Sequence, residues 1–130
     1  MGTRSLTFVY SEYEENKPIL NLYRQFDGYP TGHGKELAEF LGSGTRKIVN
    51  GYNSKDGNNF NGMGCLAAQM VAHFKKGIGE FYIQSVDSDD CGQDYVYKVY
   101  KDFVEVYRYN GERIFKGDYF EFTIFCNQDE

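Results

Sequence analysis

Two short segments gather most of the residues that could hold or transform a ligand. The first is Asp27-Gly28-Tyr29-Pro30-Thr31-Gly32-His33-Gly34, the second Asn59-Phe60-Asn61-Gly62-Met63-Gly64-Cys65. Glycine lets backbone approach a ligand closely, and the unpaired N–H groups of a helix start favour anions. Both segments lead into helical patterns. If the two helix starts share a cleft, Gly32, Gly34, Asn61, Gly62 and Gly64 would line it. Arg24 would supply a two-pronged donor for carboxylate or phosphate, Asp27 a polar contact, and Tyr29 and Phe60 rings for stacking. The same glycines would serve equally well as turns and caps, with Arg24 at the surface.

A second chemistry centres on Cys65. A thiol in the first turn of a helix has a lowered pKa, and exposed amides near it can stabilise an oxyanion. His33 would be the base and Asp27 its orienting carboxylate, the arrangement of a thiol hydrolase. A small packed residue is the plainer reading of Cys65. His73 lies two turns further along the same helix and faces elsewhere.

Other signatures fail. Residues 87–92 (DSDDCG) begin like a calcium loop, but Cys91 replaces an oxygen ligand and Lys98 stands where a bidentate Glu is needed. Residues 32–36 lack the Ser/Thr and the earlier Gly of a P-loop. Residues 62–67 match only the loosest dinucleotide fingerprint, without its βαβ setting. Cys65, Cys91, Cys126, His33 and His73 are too scattered for zinc. No metal or cofactor is expected.

The elements that must position these residues follow from periodicity. Residues 6–10 and 19–25 read as a hairpin around a polar turn. Residues 35–41 place Leu37, Phe40 and Leu41 at helical spacing, closed by Gly42-Ser43-Gly44. The polar loop 50–62 leads to a second helix over 63–76, apolar nearly all round and therefore central. Strands follow over 80–86, 95–100, 103–109 and 113–125, with hairpin turns at Lys101-Asp102 and Asn110-Gly111. The order β-β-α-α-β-β-β-β predicts a single α+β domain over 1–130, in which an antiparallel sheet of about six strands carries two helices on one face. Tyr95, Tyr97, Tyr100, Tyr107, Tyr109 and Tyr119 belong to this meander. Cross-strand packing explains most of them, and any that face outward together would suit a protein partner or a second copy of the chain.

Composition narrows the classes. The chain has 130 residues, 41% hydrophobic and 25% charged, which excludes dominant disorder. Fourteen Lys and Arg against 19 Asp and Glu give a net charge of −5, which argues against nucleic acid as a partner. No apolar run reaches membrane-spanning length. Three unpaired-looking cysteines and an N-terminus without leader pattern lead us to expect a reducing, cytoplasmic setting.

Finally, Tyr23-Arg-Gln-Phe-Asp-Gly-Tyr-Pro-Thr-Gly-His-Gly34, Leu37-Ala-Glu-Phe-Leu41, Asn61-Gly-Met-Gly-Cys-Leu-Ala-Ala-Gln69 and Cys91-Gly-Gln together resemble a group of small uncharacterised proteins of phages, other viruses and marine metagenomes. The resemblance spans roughly residues 5–125. It implies no activity and no catalytic residue. It implies an accessory protein made during infection, in the cytoplasm of the host. The expectation is therefore a non-enzymatic binder of a small anionic, nucleotide-like ligand at the two glycine-rich helix starts. The alternatives are an interaction module for a host protein or homo-oligomer, and the Cys65–His33 thiol enzyme.

Overall fold

The computed structural model describes residues 2–14, 17–53 and 57–128. The tips of the two polar loops expected over 11–18 and 50–62, residues 15–16 and 54–56, lie outside the described residues. The chain forms an α+β fold. Its main sheet holds β1 (Ser5–Tyr10), β2 (Pro18–Arg24), β5 (Phe81–Ile83), β6 (Tyr95–Val99), β7 (Val104–Arg108) and β8 (Arg113–Gly117) in the order β5-β2-β1-β6-β7-β8. A two-stranded parallel ladder, β3 (Ile48–Val49) and β4 (Phe60–Asn61), stands apart from it. The helices are α1 (Lys35–Leu41), α2 (Gly62–Phe74) and α3 (Tyr119–Cys126).

The sheet departs from the sequence reading in three details, of which the first is β5: the strand expected over 80–86 is confined to Phe81–Ile83 and pairs with β2 at the far edge, away from β6. The sheet is also antiparallel except at its centre, where β1 runs parallel to β6 with Leu6 opposite Val96 and Phe8 opposite Lys98. The run over 113–125 is not one strand but β8 followed by α3. The break is Asp118: its carboxylate accepts the Glu121 N–H at 2.8 Å, and the Glu121 carboxylate accepts the Asp118 N–H at 2.8 Å. This reciprocal cap starts a helix where aromatic and branched residues would otherwise continue as a strand.

Strand alternation divides the sheet into two faces. Val9, Leu20, Leu22, Tyr97, Val99 and Val106 pack with the three helices into the main core, filled by Leu37, Phe40, Leu66, Met70, Phe74 and Phe122 among others. The opposite face carries a smaller cluster of Leu6, Phe8 and Tyr10, against which Tyr23, Cys91, Val96 and Tyr100 rest. Tyr10, Tyr100 and Phe103 form a continuous stack there, with ring centroids 4.3 and 4.4 Å apart. Among the described residues no helix is long and apolar enough to cross a membrane.

Candidate functional site

The first glycine-rich segment turns inward. Residues Pro30–Gly34 form a π-helical turn that carries His33 into the core, 1% exposed. Asp27, in the left-handed region at φ 62°, accepts the His33 backbone N–H on its carbonyl at 2.7 Å. Its carboxylate takes the Tyr29 hydroxyl at 3.3 Å. Gly32 is required because a Cβ there would lie 2.6 Å from the Asp27 carbonyl oxygen. Gly34 is required because a Cβ would lie 2.9 Å from Cys126 Sγ. These glycines serve close packing within the chain.

Arg24 is 4% exposed, and both of its terminal nitrogens are engaged while Nε is buried with no hydrogen-bond partner among the described residues. Its guanidinium meets the Glu36 carboxylate at 3.2 and 3.4 Å, Glu80 at 2.9 Å, and His33 Nδ1 at 3.3 Å. Arginine only donates, so His33 Nδ1 accepts and Nε2–H donates to Thr7 Oγ1 at 2.7 Å. Burial, reinforced by the Arg24 charge, pushes the His33 pKa down from 6.5 to about 3, which keeps the ring neutral. The anions expected to meet Arg24 are thus carboxylates of the chain itself.

The second segment is built differently. Asn61 precedes α2, and Gly62 takes φ +82° to turn the chain into the helix. The Met63 N–H is capped from afar by Glu12, whose Oε2 accepts it at 3.1 Å. Here too a carboxylate of the chain holds the place foreseen for an anionic ligand. Gly64 faces open space.

Beside this helix start lies a cleft of about 520 Å³, lined by Tyr52, Asn53, Asn59, Asn61, Cys65 and Gln69 among others. Its amides are held in set orientations. Asn59 Oδ1 accepts the Lys47 N–H at 3.0 Å and Asn61 Oδ1 accepts the Gly51 N–H at 2.7 Å. Gln69 Oε1 accepts from Arg46 at 3.0 Å while its Nε2 donates to Cys65 Sγ at 3.1 Å. Arg46 is itself clamped between rings, 4.0 Å from Phe60 and 5.3 Å from Phe40, and bonded to the Phe40 and Asn58 carbonyls. Its burial lowers its pKa, against which nearby Cys65 acts. With one hydrogen bond already accepted by each Oδ1 of Asn59 and Asn61, these amides have left to offer their N–H donors and one further acceptor site each. Among the described lining residues none is charged.

Comparison with protein-family models, curated proteins and solved structures finds no match for this chain. The functional reading therefore rests on the site alone.

The predicted site residues fall into two groups. Asn61, Gly62, Gly64 and Cys65 sit at the mouth of α2, with Asn61 and Cys65 lining the cleft. Arg24, Asp27, Tyr29, Gly32, His33 and Gly34 sit elsewhere, and none of five well-formed depressions among the described residues joins the two groups. Cys65 and His33 are also apart. The His33 ring packs 5.2 Å from that of Phe74, the last residue of α2, nine residues from Cys65 and thus about 13.5 Å along the helix axis. Tyr29 is partly exposed over its own turn, and Phe60 is buried beneath Arg46. Of the six meander tyrosines only Tyr109 is exposed, at 75%; Tyr97 and Tyr119 are buried and the others half-buried. Sequence reasoning passed over Tyr52, Asn53 and Gln69, and named Asn59 only as the opening residue of the second segment. The density of Asn over 50–61 was the available signal.

Proposed function

We propose that this chain is a binding protein for a small polar ligand, held in the cleft beside the start of α2. The observation that carries the reading is the set of amides from Asn59, Asn61 and Gln69, oriented in advance by bonds to Lys47, Gly51, Arg46 and Cys65. Preorganised donors lose little entropy when a ligand arrives, which is what a binding site needs. The donors are uncharged, so the ligand is one whose hydroxyl or carbonyl oxygens accept hydrogen bonds without a counter-ion, ahead of a phosphate or carboxylate. Tyr52, 72% exposed at the rim, offers a ring face for the ligand's apolar side. Binding rather than catalysis is favoured because the Cys65 thiol has Gln69 as its polar neighbour and no histidine base near it.

The test is a thermal-shift and titration series with monosaccharides and nucleosides beside their phosphorylated forms. The expected result is a shift with uncharged members that Tyr52→Ala abolishes while leaving the melting temperature of the free protein unchanged. Binding of the phosphorylated forms alone, or no shift with any member, overturns the proposal.

A further inference from the structure

The cleft is not isolated. A second depression of about 290 Å³ shares Val49 and Asn61 with it and adds Tyr13, Asn50 and Lys101. A third, of about 280 Å³, shares Ile48 and Lys101 with the second and adds Lys47, Asp118 and Phe120. All three are strung along β3, so that the small β3–β4 ladder forms the spine of one long groove. Each depression contains one strongly exposed ring: Tyr52 at 72%, Tyr13 at 82% and Phe120 at 60%. Among the described residues one other ring is this bare, Tyr109 at 75%, so three of the four most exposed rings lie along one groove and require an explanation.

We propose that this groove binds a linear, uncharged oligosaccharide, one sugar ring against each of Tyr52, Tyr13 and Phe120. The proposal rests on the cleft reading above and extends it from a single ligand to a polymer. A sugar presents a flat face of C–H bonds that packs on an aromatic face, and hydroxyls around its rim that pair with amides. Asn50, Asn59 and Asn61 supply such amides along the path. The groove's charges are of both signs, its lining including Glu12, Asp102 and Asp118 as well as Arg46, Lys47 and Lys101. A single-stranded nucleic acid needs a continuous basic track instead. The whole-chain charge of −5 points the same way.

The experiment is calorimetric titration of the full chain with dimers and hexamers of β-1,4-linked glucose, β-1,4-linked N-acetylglucosamine and α-1,4-linked glucose, with a twelve-residue oligothymidylate as the competing polymer. At least one hexamer is expected to bind about tenfold or more tighter than its dimer. Tyr13→Ala and Phe120→Ala are each expected to weaken that hexamer about tenfold, as loss of an aromatic anchor does, while leaving the dimer and the melting temperature unchanged. A hexamer no tighter than its dimer, or indifferent to Tyr13 and Phe120, overturns the polymer inference and leaves the single cleft standing. Tighter binding of oligothymidylate, or no binding of any sugar while an uncharged nucleoside binds, overturns it as well.

Discussion

The Glu12 carboxylate accepts the Met63 backbone N–H at 3.1 Å, joining the β1–β2 connection to the mouth of α2 across 51 positions of chain. It satisfies a donor that the helix cannot pair internally and places negative charge at the positive end of the helix dipole. Glu12→Ala should therefore cost about 1 kcal/mol of stability, as loss of a helix cap does. Urea denaturation at low and high salt checks this, the wild-type advantage shrinking as salt rises. An unchanged unfolding midpoint would mean that the contact contributes nothing.

The buried, neutral His33 makes acid sensitivity calculable. Its pKa is about 3 in the folded protein against 6.5 for a free side chain. Between those values the unfolded chain binds a proton that the native chain refuses, so stability is lost as pH falls through this window, by about 1.4 kcal/mol per pH unit for this one group. His33→Gln removes the titration. The stability gap between wild type and variant should narrow steadily from pH 6.5 toward pH 4 in parallel denaturation curves, and a gap that stays constant would refute the assignment.

Gly34 and Gly64 look alike in the sequence and differ in space. Gly34→Ala drives a methyl group to within 2.9 Å of Cys126 Sγ and 3.3 Å of the Tyr97 hydroxyl, an overpacking that should cost about 1–3 kcal/mol. Gly64→Ala meets nothing within 4 Å inside α2 and should gain up to about 1 kcal/mol from helix propensity. Melting temperatures of the two variants should move in opposite directions.

The three cysteines should report the same architecture chemically. Cys126 is 0% exposed, and burial raises its thiol pKa to about 12. Cys65 and Cys91 are partly exposed. Iodoacetamide at pH 8 should label Cys65 and Cys91 in the native protein and reach Cys126 only in denaturant, as read by peptide mass spectrometry. Prompt native labelling of Cys126 would contradict the placement of α3 against the core.

Much of the fold was legible because its signals are local. Alternation located β1, β2, β6 and β7, and the apolar spacing of Leu37, Phe40 and Leu41 located α1. The α3 helix was missed because Tyr119-Phe-Glu-Phe-Thr-Ile-Phe125 has strand-like composition, although the Asp118-x-x-Glu121 cap was there to be seen. Asp118→Ala, by removing it, should lower stability by about 1 kcal/mol. The parallel pairing of β1 with β6 depends on contacts about 90 residues apart, and no short window encodes it. The site was half legible for a similar reason. Helix starts with exposed amides can be recognised in a sequence, but their partners, Glu12 for α2 and Glu36 and Glu80 for Arg24, are set by tertiary folding.

The central place of β1 has a consequence for biosynthesis. In the finished sheet β1 is flanked on both sides, by β2, which follows it closely in the chain, and by β6, which is available only after residues 95–99 have been made. Until then one edge of an apolar strand, Leu6, Phe8 and Val9 included, stands open to any other extended chain. Fragments ending before β6 should therefore aggregate, and productive folding must wait until residues 95–99 have been made.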